Sequence, residues 1–208
     1  MHIPEGVLSA PVLAGGAALT VAGTAMGLRH LDVEKIPRVG VMAAAFFVAS
    51  LVYVPAGLSS VHLILNGLAG LLLGWAVFPA LLVALFLQAV LYHFGGLTTL
   101  GVNTFTMAFP GLLCYWLWGR LLGCRPVWSV AGAFAAGALA VFFAGVLVAS
   151  ALFLSGEAFM EAAGGLLIAH VPVMIIEGLI CVFAVGFLRK VKPEMLSRSA
   201  RREVINDM

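Results

Sequence analysis

The chain has 208 residues, of which 63% are hydrophobic and only 10% charged, and its formal net charge at pH 7 is +2. Soluble domains carry about 25% charged residues, so this composition excludes an ordinary soluble enzyme, and no nucleic-acid partner is expected. The apolar residues instead form stretches of about 20, the length that crosses a lipid bilayer as a helix.

In chain order, seven apolar stretches are predicted to span a membrane, at 11–29, 38–54, 60–76, 78–94, 104–121, 127–154 and 164–188. The bilayer interior holds no water to hydrogen-bond the backbone, so each stretch should be helical. The predicted fold is an all-α membrane protein, a bundle of about seven transmembrane helices. Residues 1–190 are expected to form one transmembrane domain, and 191–208 a basic cytoplasmic tail that contacts lipid headgroups.

The basic residues predict the orientation of this bundle. All 11 Lys and Arg residues fall between the first and second stretches, between the fifth and sixth, or after the seventh. With seven crossings these three regions share one side, which the positive-inside rule assigns to the cytoplasm. The N-terminus is therefore predicted to lie outside and the C-terminus in the cytoplasm.

This topology places four of the five histidines toward the outer face: His2, His62, His93 and His170. His30 is expected inside. Glu177 is the one acidic residue within a predicted span, and an intramembrane carboxyl group usually faces the bundle interior and serves a function. His170 and Glu177 are seven residues apart, so they share one face of the last helix, and Gln88 could join the same polar network.

The first two residues carry a chelating pattern. No positively charged signal-peptide start precedes Arg29, and a large residue at position two disfavours removal of the initiator, so Met1 is expected to remain. Its α-amine, with a pKa near 8, the His2 backbone nitrogen and the His2 Nδ1 can close adjacent five- and six-membered chelate rings. One further nitrogen donor would complete a square, and a square-planar all-nitrogen site suits Ni(II) or Cu(II).

The opening segment MHIPEGVLS resembles the N-terminal signature of the CbiM/NikM family, the substrate-capturing S components of energy-coupling-factor (ECF) importers for cobalt and nickel. Three further segments are similar to the same family: SSVHLILNGLAGLLLG at 59–74, HFGGLTTLGVNTFTMAFPG at 93–111 and AHVPVMIIEGL at 169–179. The resemblance implies that residues 1–10 form an extracellular metal-binding segment. It also implies that the ligands are the Met1 amine, the His2 backbone nitrogen, the His2 ring and His62.

The function that this resemblance implies is high-affinity capture of Ni²⁺ or Co²⁺ as a transported substrate at the outer face of a prokaryotic cytoplasmic (inner) membrane. The chain would not be an enzyme and would need no catalytic cofactor. It has no G-x-x-x-x-G-K-[ST] phosphate loop, so ATP hydrolysis must come from elsewhere. The implied partners are a coupling membrane subunit, a small accessory membrane subunit and cytoplasmic ATPases.

Several alternatives stay open at this stage. His93 suits either an aromatic interface belt or a metal entry path, and Asn103 either a helix cap or a group that orients a ligand. His170 and Glu177 suit either a network around the metal segment or helix packing. The rival functions are an intramembrane metal-dependent hydrolase, which needs an open metal position, and a stand-alone secondary metal transporter, which usually shows internal repeats.

Overall fold

The computed structural model describes residues 2–56, 59–156, 165 and 168–196. Within them lie seven α-helices: α1 Ala10–Arg29, α2 Ile36–Ala49, α3 Asn66–Leu73, α4 Val77–Tyr92, α5 Leu100–Trp118, α6 Pro126–Ser155 and α7 Val171–Val191. Strands β1 Tyr53–Ala56 and β2 Ser59–His62 form an antiparallel hairpin. Short 3₁₀ turns occupy 33–35, 74–76, 121–123 and 193–195.

The prediction of a helical membrane protein is confirmed. Five helical segments in the described part of the chain are long and apolar enough to cross a bilayer: 10–29, 66–92, 100–118, 126–155 and 171–191. Helix α2 has only 14 residues, which is short for a full crossing. The count of seven crossings and the placement of the termini stay predictions, as does the basic tail, most of which lies outside the described residues.

The prediction that every apolar stretch is helical throughout is wrong at the hairpin. Predicted spans 38–54 and 60–76 each include residues that the structure places in β1 or β2. Pro55 has no N–H and cannot continue a helix, and the β-branched and aromatic residues around it favour extended backbone. Pairing Tyr53 with His62 and Val54 with Val61 satisfies backbone groups that a helix end would expose.

Helices α3 and α4 run in opposite directions, so the apolar segment 66–92 reverses at the turn 74–76 and does not cross as one straight helix. Along α3, Asn66 donates from Nδ2 to the Met107 carbonyl at 3.1 Å, and a Cβ on Gly70 would overlap the Gly111 carbonyl. Helix α3 therefore runs parallel to α5. Helix α4 returns alongside α5 in the opposite sense, with the chain turning at Gly74, whose φ of 57° suits glycine.

The two ends of the bundle differ in chemistry. At one end, Arg189 Nη1 donates to the Leu122 and Cys124 carbonyls at 3.1 and 3.0 Å, beside Arg120 and Arg125. His30 stacks on Trp75 at the same end, with ring centroids 6.4 Å apart, which brings the start of the α1–α2 connection there. The opposite end carries His2, His62 and the N-terminal segment. The basic residues of the described connections are thus segregated from the histidine pair.

Candidate metal-binding site

The N-terminal segment is held in the bundle by one amide side chain. The Ile3 N–H donates to Asn103 Oδ1 at 2.9 Å, and Asn103 Nδ2 donates to the Ile3 carbonyl at 3.1 Å. Ile3 is 3% exposed and Asn103 2%. The amide of Asn103, in the first turns of α5, therefore pairs with the Ile3 backbone as a neighbouring strand would, and it fixes where His2 lies.

A second anchor holds the next residues of the segment. Glu5 Oε1 accepts hydrogen bonds from the Thr98 N–H at 2.9 Å and the Thr98 hydroxyl at 3.0 Å. The Glu5 N–H donates to the Gly95 carbonyl at 3.1 Å. The bonds from Thr98 lower the pKa of the Glu5 carboxyl group, so this anchor stays ionised at neutral pH.

The structure brings His2 and His62 together. Their ring centroids are 4.8 Å apart, with 30° between the ring planes. The Phe94 ring also contacts His2, with ring centroids 5.9 Å apart. His62 is 5% exposed and is the last residue of β2. The hairpin therefore positions one imidazole, and the anchored N-terminal segment positions the other. These residues are 60 positions apart in the sequence.

Each ring has one nitrogen engaged by a neighbouring oxygen. His2 Nε2 lies 2.9 Å from Gln88 Oε1. His62 Nδ1 lies 3.0 Å from the Leu63 carbonyl oxygen. A carbonyl oxygen can only accept, so His62 carries its proton on Nδ1 and an electron pair on Nε2. An imidazole whose other nitrogen donates to an oxygen is the usual form of a metal-binding histidine.

Both imidazoles are neutral at physiological pH. Burial lowers the pKa of His2 to about 3 and the pKa of His62 to about 2, with interactions from His2 and His170 lowering the latter further. A neutral ring is the form that coordinates a metal. While the segment stays docked, both rings therefore remain neutral until the solution is strongly acidic.

Glu177 supports the backbone that follows His62. Its Oε1 accepts from the Ile64 N–H at 2.5 Å and the Leu65 N–H at 2.8 Å. Glu177 is fully buried, and Leu65 has the left-handed φ of 51°, which is costly for a non-glycine residue. The carboxyl group of α7 thus stabilises the sharp turn between His62 and α3.

The remaining predicted residues occupy different positions. His170 is 1% exposed at the N-terminus of α7 and interacts electrostatically with His62. His93 is exposed and caps α4 with a φ of 57°. Among the described residues, the ring contacts of His2 are with His62 and Phe94 and not with His93. Met1 lies outside the described residues.

Two contributors went unrecognised in the sequence. Ser50, at the end of α2, accepts a hydrogen bond from Gln88 Nε2 at 2.5 Å, and Thr98 anchors Glu5. Serine and threonine are common at helix ends for local reasons, so no pattern in the sequence distinguishes these two.

The fold and the paired imidazoles define a helical membrane protein with a candidate metal-binding end. Residues 2–195 match the family model of CbiM, described as a cobalt uptake substrate-specific transmembrane region, and the chain therefore belongs to that family.

Individual relatives agree with the family match. The chain is 44% identical over 204 residues to a putative metal transport protein of Haemophilus influenzae, covering 96% of this chain and 98% of that one. It is 36% identical over 227 residues to the cobalt transport protein CbiM of Sorangium cellulosum, covering 95% of each. A crystal structure of a truncated transition metal transporter superposes with a TM-score of 0.74 at 26% identity, covering 91% of this chain and 99% of that one.

The lowered pKa of His2 predicts that docking of the metal-free N-terminal segment depends on pH. The ring of His2 has the ordinary pKa of 6.5 when the segment is undocked and exposed to water, whereas burial in the docked state lowers its pKa to about 3. The undocked state therefore binds more protons below 6.5, so docking is fully stable above that pH and weakens progressively as the pH falls toward 3. Hydrogen exchange at Ile3 and Glu5, measured against pH in the metal-free protein, should show the loss; protection that is constant from pH 7 to 4 would contradict it.

Proposed function

We propose that this protein captures Ni²⁺ or Co²⁺ with high affinity at the outer membrane face, as the substrate-specific subunit of an ATP-driven ECF-type importer. The observation that carries the proposal is the contact between the His2 and His62 rings, 4.8 Å between centroids. Membership of a cobalt-uptake family and relatives named as metal transport proteins support the transport role.

The proposed ligands are the Met1 amine, the His2 backbone nitrogen, the His2 Nδ1 and the His62 ring. The first three are consecutive along the chain, so they occupy three consecutive corners of a square. The fourth corner is next to His2 Nδ1. With metal–nitrogen bonds of about 2 Å, imidazoles at adjacent corners have centroids about 4.5 Å apart, and at opposite corners more than about 6 Å. The observed 4.8 Å agrees with adjacent corners.

The proposed topology puts the N-terminus outside and the C-terminus in the cytoplasm, with seven crossings of a prokaryotic cytoplasmic (inner) membrane. Residues 1–190 form the metal-capture domain, residues 1–10 its extracellular binding segment, and 191–208 the basic tail. The segregation of Arg120, Arg125 and Arg189 from the histidine end supports this orientation. A coupling membrane subunit, a small accessory membrane subunit and cytoplasmic ATPases supply the energy for import.

The rival functions are less well supported. A hydrolase needs an open metal position for water, which a square filled by four nitrogens does not provide. A stand-alone transporter would need no ATPase.

Calorimetry with the purified protein should show tight Ni²⁺ or Co²⁺ binding, and cells should accumulate metal only when an ATPase partner is co-expressed. Uptake by cells that contain this chain alone would contradict the importer assignment.

Substitutions of Glu177 test how much its hydrogen bonds to the backbone after His62 contribute to metal affinity. Glu177→Gln keeps a carbonyl oxygen that can accept from Ile64 and Leu65, so metal affinity should fall by less than about tenfold. Glu177→Leu leaves the buried Ile64 N–H and the part-buried Leu65 N–H without their acceptor, which costs about 1–3 kcal/mol for the buried group alone, and should weaken binding more. Both losses should be smaller than that of His62→Ala. Calorimetry of the three variants checks this order, and a loss in Glu177→Gln equal to that in His62→Ala would make Glu177 a direct ligand.

A further inference from the structure

A directed chain of hydrogen bonds begins at the His2 ring and ends inside helix α2. His2 Nε2 lies 2.9 Å from Gln88 Oε1, Gln88 Nε2 donates to Ser50 Oγ at 2.5 Å, and Ser50 Oγ donates to the Phe47 carbonyl at 2.8 Å. Gln88 is fully buried and Ser50 is 1% exposed. No part of the metal-capture mechanism described above requires Gln88 or Ser50.

The end of α2 fixes the direction of this chain. The Leu51 N–H, which would reach the Phe47 carbonyl in a continuing helix, donates instead to the Val48 carbonyl at 3.1 Å. The Ser50 hydroxyl supplies the Phe47 carbonyl with a donor in its place. Because a carbonyl can only accept, the Ser50 hydrogen points toward Phe47, and the Ser50 oxygen accepts from Gln88.

The orientation of the Ser50 hydroxyl fixes the orientation of the Gln88 amide, which in turn decides which nitrogen of His2 carries the proton. The Gln88 amide donates through its nitrogen and accepts through its oxygen, and its nitrogen is already committed to Ser50. Its oxygen therefore faces His2, and an oxygen acceptor requires a proton on His2 Nε2. Reversing the chain would leave the part-buried Phe47 carbonyl without the Ser50 donor, which disfavours the reversed arrangement.

We infer that Gln88 and Ser50 are positioning residues that set the His2 tautomer, with the proton on Nε2 and the electron pair on Nδ1, before any metal arrives. This inference rests on the proposed function, in which His2 Nδ1 is a ligand. Only Nδ1 closes a six-membered ring with the His2 backbone nitrogen; Nε2 would close a larger and looser one. This chain of hydrogen bonds therefore keeps the electron pair on His2 Nδ1, the chelating nitrogen, before the metal binds. Outer hydrogen-bonding partners orient ligands in the same way in other metal sites.

Two variants and one matched control separate this role from simple packing. Gln88→Met removes the oxygen acceptor while keeping the length of the side chain. Ser50→Ala removes the group that orients the Gln88 amide. The control is Ser129→Ala, which also deletes a fully buried hydroxyl that donates to a backbone carbonyl, here Leu122 at 3.3 Å, but at the opposite end of the bundle.

The first readout is the tautomer itself, measured on the metal-free full-length protein labelled with ¹⁵N-histidine. Protonated and unprotonated ring nitrogens have well-separated ¹⁵N shifts, and the His2 signals are assigned as those that disappear in His2→Ala. We expect the Nε2–H form in the wild type and in Ser129→Ala, and a mixture of tautomers in Gln88→Met and Ser50→Ala. An Nδ1–H form in the wild type would overturn the inference, as would an unchanged tautomer in both variants.

The second readout is affinity for Ni²⁺ by calorimetry. Gln88→Met should bind about 10- to 100-fold more weakly, Ser50→Ala should show a smaller loss because the Gln88 amide can still rotate into place, and Ser129→Ala should match the wild type. Wild-type affinity in Gln88→Met would refute the positioning role. If the wild type binds no metal while His2 shows the Nε2–H form, the proposed function fails and the tautomer assignment stands, so the two failures are distinguishable.

Discussion

Replacing His62 with alanine should reduce the affinity for Ni²⁺ or Co²⁺ by more than about 100-fold, because losing a direct ligand costs more than the 10- to 100-fold typical of outer partners. His2→Ala should have at least as large an effect, since it removes the ring while leaving only the backbone nitrogen. Both variants should fold, because the apolar core is supplied by many other side chains spread over all the helices, of which only Ile3 and Ile64 lie close to the two imidazoles in the sequence. Calorimetry on purified protein with an unmodified N-terminus measures the change.

The matched control is His30→Ala. His30 is exposed at the opposite end of the bundle, where its Nδ1 lies 2.8 Å from the Met26 carbonyl. Its replacement should leave the metal affinity unchanged. Wild-type binding by His62→Ala, or an equal loss in His30→Ala, would remove the basis for placing the metal between His2 and His62.

Adding even one residue before Met1 should abolish tight binding. The extension converts the α-amine into an amide, which is a poor donor until it loses a proton, and it places extra chain at the binding segment that Asn103 and Thr98 anchor. The expected loss is comparable to that of His62→Ala, again more than about 100-fold in affinity. Comparing the extended protein with the same chain after cleavage back to Met1 isolates the effect of the amine.

The control for this experiment carries the same added residues at the C-terminus. That protein should bind metal like the unmodified one, because residues 191–208 are proposed to lie on the other side of the membrane. Tight binding by a homogeneously N-terminally extended protein would show that the Met1 amine is not a ligand, whatever the roles of His2 and His62.

The long apolar helices were predictable because bilayer thickness constrains their length. Helices α1, α5, α6 and α7 begin and end within a few residues of the predicted stretches, apart from the start of the last. The hairpin was missed because apolar content alone does not distinguish a strand from a helix. Pro55 was a local signal against a helix there, and Gly57 was another.

The site itself was predictable only through the family resemblance. Periodicity and topology placed His2 and His62 toward one face, but their contact depends on a hairpin that the sequence did not reveal. Glu177 was correctly singled out as an intramembrane carboxyl group, yet its partners are backbone N–H groups more than 100 residues away. Ser50 and Thr98 act through tertiary contacts, which leave no trace in local sequence.

The most direct test of the central claim is a crystal structure of the protein loaded with Ni²⁺ at its native N-terminus, with the metal located by its anomalous scattering. We expect one ion bonded to the Met1 amine, the His2 backbone and ring nitrogens, and the His62 ring. An ion bonded to only one of these histidines, or seated elsewhere in the bundle, would contradict it.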